Sequence, residues 1–598
     1  MNRILNYGIN ILFSIVTVLL FNYNYKWKIS LFSGLLGMGV FFLVKNFKKN
    51  KFNVFTFINA LLFALFFNIG VSYQKGGTLL YLWKNINNIC ISLLNIVVFT
   101  FVFYLLLDFL FNKFQNMKNR EIKSKILKFI FDDHPFLSTF LITLSISLFY
   151  LIFFYPGTMS YDGLWQLDVY KGITVIADNH PPIIGFTNHH PALITLIMGF
   201  LMDIGGSLLN DNLGMFLYIL PQIFVNAFVY AYVLKIMKKM DTPFIIKFGS
   251  LLFYSAFPFL VINSITYIKD TMFYLIFLLI FVYVYYHFKV DYKRDYKVKY
   301  LVLAILFLIL YLFRNTGYYI LIISSLALIF YFFKKDKFVS LMFSFLIVFL
   351  VGVNLVYHKV FLPSMNIEEA SVREMLSVPL QQTGRYLKKY PSDLSTYEKD
   401  VLNNMFDIEL TEIAKLYYPN KSDNIKWRFK EYPTDSELKD YFKVWFSMFL
   451  KHPFVYFDAT LNNIYGYIYP NVMNFVGEEI GFYYIDIVGP VNTGEYKLSW
   501  NNLNWGRNIL KGTAKTISET KGIRVLYMPA FYVLIFIAAC FYLLKVKRGS
   551  ALFFLTPLFV IILTCVISPV NAHMRYLEPL MVSIPFVLAL ILYETRKN

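Results

Sequence analysis

The sequence predicts an all-α polytopic membrane protein, and three observations carry that prediction. The 598 residues are 58% hydrophobic and 20% aromatic, with a mean hydropathy of +0.55; such a chain is too apolar for a water-soluble globule and too long for a single core. Its apolar stretches run to roughly 14–24 residues between short polar loops, the length a helix needs to cross about 30 Å of hydrocarbon. Basic residues gather in the loops between these stretches, as they do on the cytoplasmic side of membrane proteins. No β-barrel alternation is seen.

Taken in order, the first apolar stretch, Tyr7 to Asn22, follows only Arg3 and is not followed by a small-residue cleavage site, which reads as a retained helix and not a signal peptide. Four helices extend to about Phe111. Basic clusters then recur at Lys45 to Lys51, Lys113 to Lys128, Lys235 to Lys239, Lys289 to Lys299, Lys334 to Lys337 and Lys545 to Arg548, all expected inside the cell. This placement accounts for the net charge of +20 without nucleic acid. The one long polar region, Leu362 to Arg524, holds roughly 19 Lys/Arg against 20 Asp/Glu and is expected outside. Its sequence reads as short helices joined by Pro, Asn and Gly turns. About 14 crossings with both termini in the cytoplasm follow, provided that Ala192 to Leu208 lies in the outer interface and does not cross. The expected divisions are 1–135 (N-terminal helices and linker), 136–361 (a transmembrane module with a first outer loop at 155–213), 362–525 (an extracytoplasmic, mostly helical domain) and 526–598 (C-terminal helices). Cys90, Cys540 and Cys565 are scattered through apolar segments and form no redox or metal pair.

The first outer loop concentrates chemistry. It contains "YPGTMSYDGLWQLDVYKG" and "DNHPPIIGFTNHHPALITL", with Asp162, Asp168 and Asp178 beside His180, His189 and His190. Taken singly, each residue fits a solvated loop with a helix cap and proline turns; taken together, they suggest a site. His and Asp can ligate Zn²⁺ or Mn²⁺, so a divalent metal is possible, but the spacings match no HExxH or compact triad. Other ionisable groups stand at outer helix ends: Lys269 and Asp270, Arg314 and Asn315, His573 and Arg575. Alone, each fits a snorkelling residue or a local ion pair. A carboxylate among cations at the headgroup level suits general-base chemistry on a phosphate that remains attached to a lipid. Asp162 is the expected base, with Asp168, six residues on and off its helix face, as the fallback. Arg314, Arg575, Lys269, His189 and His190 are the expected donor-phosphate ligands. Gln166, Gln382 and Arg385, with Gln381 beside them, are expected to meet the acceptor through hydrogen bonds to hydroxyls or phosphate.

An Asp in the first outer loop, an "HP" element opening an interfacial helix ("NHHPALITLIMGF") and a following helix that ends in basic residues together resemble the GT-C glycosyltransferases. More narrowly, "YPGTMSYDGLWQ", "NHHPALIT", "YIKDTMFYLIFLL", "LFRNTGYY", "VPLQQTGRYLK" and "MRYLEPL" resemble the bacterial DUF6020 membrane proteins, over roughly Tyr155 to Pro579. The GT-C resemblance implies a catalytic membrane module whose acid is the base and whose donor is a polyprenyl-phosphate sugar, with a cell-envelope glycan, teichoic acid or lipid as acceptor at the outer face of a bacterial plasma membrane. The paired acids of many such enzymes are absent here, since Gly163 follows Asp162, and Ala192 stands where a second proline is usual. The alternatives are a transporter or flippase of lipid-linked saccharide and a non-catalytic scaffold of envelope polysaccharide synthesis.

Overall fold

The computed structural model describes residues 2–25, 30–47, 52–119, 121–173, 185–292, 296–471, 496–520 and 522–596. Helices dominate, and the named strands are two residues long each. Among the described residues, nine helices are long and apolar enough to cross a membrane, or ten if the bent pair Phe244–Ala256 and Pro258–Ser264 forms one span. The helices Ser33–Asn46, Thr316–Phe332 and Pro529–Lys545 are shorter and apolar, and Tyr296–Phe313 is of similar length and character.

Local chemistry sets the helix ends. Asn53 caps Val54–Gly76 through the backbone N–H of Thr56, and that helix stops at Gly77, whose φ of 64° is the left-handed conformation glycine tolerates. Asp336 likewise caps Lys337–Val356. Ala192–Leu208, expected to lie in the interface, is a 17-residue apolar helix that packs against Asp211–Lys239, with Gly205 against the backbone of Gly214. A side chain at Gly205 would block that approach.

The polar region is helical as expected, with Ser377–Lys389, Thr396–Met405, Asp435–Lys451 and Pro453–Ile464 around a core that includes Leu380, Tyr386, Tyr441, Met448 and Tyr456. Reciprocal capping boxes, Ser395 with Glu398 and Thr434 with Glu437, start two of these helices. This region is keyed to the N-terminal helices by Asp458. That carboxylate is fully buried and accepts from Tyr73 Oη (2.8 Å), Thr78 Oγ1 (2.8 Å) and the backbone N–H of Leu79 (2.9 Å), and it pairs with Arg385.

Three short backbone pairings bring distant segments to one place. Strands β1 (Thr158–Met159) and β2 (Thr266–Tyr267) pair in parallel, with the threonine hydroxyls 2.7 Å apart. The amide of Gln222 donates to the carbonyls of Asn263, Ser264 and Thr266 and holds the second strand in place. Asn188 N–H donates to the carbonyl of Glu368 (2.7 Å), and Ser422 N–H to that of Pro569 (2.8 Å).

Candidate functional site

The β1/β2 register explains how Asp162 meets Lys269. The two strands run side by side in the same direction, so the residues just beyond them emerge together. Ser160 then caps the helix Tyr161–Tyr170 by accepting from Gly163 N–H (2.9 Å), which sets Asp162 in its first turn. Two residues past the other strand, Lys269 and Asp270 open the helix Lys269–Tyr285. Gly163 lies against the carbonyl of Tyr267, where a Cβ has no room. A second acid after Asp162 is therefore sterically excluded, which gives the missing pair its physical cause.

Five charged groups interlock here. Arg575, at the start of the helix Met574–Arg596, bridges both carboxylates: its Nη2 pairs closely with Asp162 Oδ2, and its Nε lies 3.0 Å from Asp270 Oδ2. Lys269 Nζ donates to Asp162 Oδ2 (3.1 Å) and lies 3.8 Å from Asp270. Arg314 Nη1 stands 3.3 Å from Asp270 Oδ1, with its guanidinium against the rings of Phe273 and Tyr576. Asp270 is only 2% exposed, so these ion pairs form where water competes little. Three cations face two carboxylates, leaving an excess of one positive charge. Burial alone would raise the pKa of Asp162, but Arg575, Lys269 and His190 outweigh it and hold the carboxyl well below the ordinary range.

His190 is the hinge between this cluster and its surroundings. Lys269 Nζ lies 3.0 Å from His190 Nδ1. An ammonium has no acceptor, so Nδ1 accepts and the neutral ring carries its proton on Nε2. Burial, and then Lys269, push the imidazole well below its usual value, so it stays neutral. Its Nε2 is buried with no hydrogen-bond partner among the described residues. Asn188 fixes the histidine pair by accepting from Ala192 N–H (3.0 Å) and Tyr357 Oη (2.9 Å), while its carbonyl accepts from Asn315 (3.3 Å).

Beside the cluster, His189 and Trp165 of the motifs meet Arg373, Glu374, Lys426 and Trp427, which no motif contained. His189 stacks on Trp165 with ring centroids 5.4 Å apart, and its Nδ1 is 3.7 Å from Glu374. Glu374 accepts from Lys426 (2.7 Å). Trp427 lies 6.1 Å from Trp165, with Lys426 and Arg373 over its ring. Glu578, one helical turn past Arg575, accepts from Asn263 (2.8 Å), and no ion pair of it is found among the described residues. "SVREM" and "NIKWRF" look like ordinary amphipathic turns, and nothing in them announced these contacts.

The structure thus brings together Asp162, Lys269, Arg314, Arg575, His189 and His190. Of the expected acceptor ligands, Gln166 lies one turn past Asp162 on the same helix, while Gln382 and Arg385 make their contacts in the polar region and with the N-terminal helices. Gln166 is buried, donating to Thr195 Oγ1 (2.8 Å). Gln382 donates to Thr460 and accepts from Trp445, and Gln381 donates to the carbonyl of Tyr418. Arg385 is spent on Asp458, Tyr417 and the carbonyl of Gly77. These contacts hold all four side chains in the packing of the protein, while Gln166 Oε1, Gln381 Oε1 and Arg385 Nε have no hydrogen-bond partner among the described residues. Asp168 stands apart from the cluster, and burial raises its carboxyl to about 6. His573, beside Arg575, is lowered to about 4 by burial and then by that guanidinium. Asp178 and His180 lie outside the described residues. Among the described residues no group of three or more His, Cys, Asp or Glu is placed to hold a metal ion. The donor set does not suit one either, because both carboxylates are already paired with cations.

A model described as a family of unknown function, DUF6020, matches residues 42–598. The chain belongs to the DUF6020 family. No curated protein and no solved structure matches it. The DUF6020 match is wider than the Tyr155 to Pro579 stretch that holds the motifs, and it includes the helices Val54–Gly76 and Ile86–Gln115 together with every charged group of the cluster.

Proposed function

We propose that this DUF6020 protein is a GT-C-type membrane glycosyltransferase that moves a sugar from a polyprenyl-phosphate donor to a cell-envelope acceptor at the outer face of a bacterial plasma membrane. The observation that carries the reading is the interlocked cluster: one carboxylate, Asp162, at the head of a loop helix, in contact with cations that start or end membrane helices. Its excess of one positive charge complements a phosphodiester, which carries one negative charge. Along the same helix, Phe277 and Ile280 join Leu310, Ile320, Leu328 and Phe554 in an apolar lining. Phe277 follows Asp270 by seven residues, about 10 Å along a helix, so apolar surface lies within reach of the charged cluster.

The reaction runs as follows. The acceptor oxygen bonds to the anomeric carbon, the bond from that carbon to the phosphate oxygen breaks, the proton passes to Asp162, and the lipid phosphate leaves with the electron pair. At rest, Asp162 is a weak base because Arg575 and Lys269 hold its charge. An arriving phosphate competes for the same cations and releases the carboxylate as the substrate enters. Arg314 and Arg575 then stabilise the negative charge that grows on the departing phosphate.

The transport reading has one observation of its own. The pair Phe244–Ala256 and Pro258–Ser264 is bent by 53°, and the Asn263–Glu578 hydrogen bond lies beside it, features that transporters use at mid-membrane. Incubating the protein in nanodiscs with a panel of radiolabelled polyprenyl-phosphate sugars and envelope acceptors separates the readings. Label transferred from one donor supports the enzyme. Altered lipid sidedness in vesicles without any transfer overturns it in favour of the flippase.

A further inference from the structure

We infer that Trp165 and Trp427, with Glu374 and Arg373, form a subsite for the ring of a neutral saccharide next to Asp162. The inference rests on the transferase reading for its role, as the seat of the acceptor sugar, but its chemistry stands on separate residues.

The two indoles are half-buried and 6.1 Å apart, and the His189 ring continues the aromatic surface to His190, 3.7 Å from Asp162. An aromatic face is electron-rich, and it attracts the C–H faces of a sugar by the same quadrupole that attracts cations. Around these rings the charges nearly cancel. Arg373, Lys426 and Lys421 are paired with Glu374, Asp423 and Glu431, three cations to three carboxylates. Such a surface offers a phosphate no net positive charge, and its ionised groups do not suit a lipid chain. It suits a polyhydroxylated neutral ring, whose C–H faces meet the indoles and whose hydroxyls meet carboxylates and guanidinium groups.

Unspent hydrogen-bonding capacity points the same way. Arg373 is 3% exposed, yet its Nε has no hydrogen-bond partner among the described residues, and His190 Nε2 is in the same position. Buried donors of this kind are costly to leave unmet, and hydroxyl oxygens would satisfy them. The placement is deliberate in backbone terms as well. Ser422 N–H donates to Pro569 O and Asn571 N–H to Asn420 O, which ties the Trp427 turn to the strand of chain leading to Arg575. The polar region thereby completes a site whose base comes from the loop helix.

The test uses the full-length protein in nanodiscs and saturation-transfer NMR with the methyl glycosides of glucose, galactose, mannose and N-acetylglucosamine. At least one is expected to show transfer to its ring C–H protons, reduced at least fivefold in Trp427→Ala and retained in Trp427→Phe. A thermal melt checks that both variants are folded, and Trp165→Ala provides the same readout from the other wall if Trp427→Ala does not fold. Absence of transfer to all four glycosides, or an equal signal in a folded alanine variant, overturns the subsite. Saccharide contact without donor turnover leaves the subsite standing and removes the enzyme reading; donor turnover without saccharide contact does the reverse.

Discussion

Two acids on one short helix compete for the role of base, and their acidities separate them. Asp168 is raised to about 6 by burial, whereas Asp162 is held well below the ordinary carboxylate range by Arg575 and Lys269. A general base fails when it is protonated, so activity falls as pH drops through its pKa. If Asp168 were the base, about nine-tenths of it would be protonated at pH 5, and kcat/KM, which reports the free enzyme, would fall about tenfold from its plateau. With Asp162 as base, kcat/KM has no acid limb between pH 5 and 8. His189 and His190 add none near 6.5, because burial lowers both. The matching perturbation is Asp162→Asn, which keeps size and removes the charge. Losing a positioned base costs about 10²- to 10⁴-fold in rate, or about 2.7–5.4 kcal/mol at 1.36 kcal/mol per decade. The assay is single-turnover transfer from labelled donor in nanodiscs, for wild type, Asp162→Asn and Asp168→Asn. The reasoning is refuted by an about tenfold fall from the plateau by pH 5 that Asp168→Asn abolishes, or by an Asp162→Asn protein that transfers within threefold of wild type.

Arg314→Ala is expected to weaken donor binding by about 1.5–3 kcal/mol, the range for a hydrogen bond to a charged group, measured by titration with a polyprenyl phosphate; unchanged affinity in a folded protein removes Arg314 from the site. Arg385→Ala is expected to lower stability by about 3 kcal/mol, because it leaves the buried carboxylate of Asp458 with only the more distant Lys389 (3.6 Å) as a cation, while acceptor KM in the folded fraction stays within twofold. Thermal unfolding and initial rates check it, and a large rise in acceptor KM at unchanged melting temperature contradicts the packing role. Gly163→Ala must push the loop helix off the Tyr267 carbonyl, costing about 1–3 kcal/mol and displacing Asp162, so its transfer rate falls while a distant small-to-alanine change such as Gly249→Ala has little effect.

How much could be seen in advance follows from what each feature depends on. A membrane helix is decided locally, because its own backbone hydrogen bonds and some twenty apolar side chains suffice to make it stable in hydrocarbon. The all-α architecture, the helical character of the polar region and the ionisable residues at helix ends were therefore legible in the linear chain. Partner choice is not local. Arg575 reaches Asp162 across 413 residues, and Lys269 reaches it across 107, beside a two-residue parallel strand pair too short to leave any alternating pattern. Gln382 and Arg385 look like surface ligands by residue type, but the type of a polar group does not tell whether its partner is a substrate or another part of the chain; tertiary packing buried them against Thr460 and Asp458. Trp427 shows the converse: an unremarkable aromatic in the sequence becomes a neighbour of Trp165 and His189 because backbone hydrogen bonds to Pro569 and Asn571 dock its turn there. Sequence alone determined which segments enter the membrane and where charge stands at their ends; only the tertiary structure decided which charges neutralise one another and which one is left over, since ion pairing depends on distance in space.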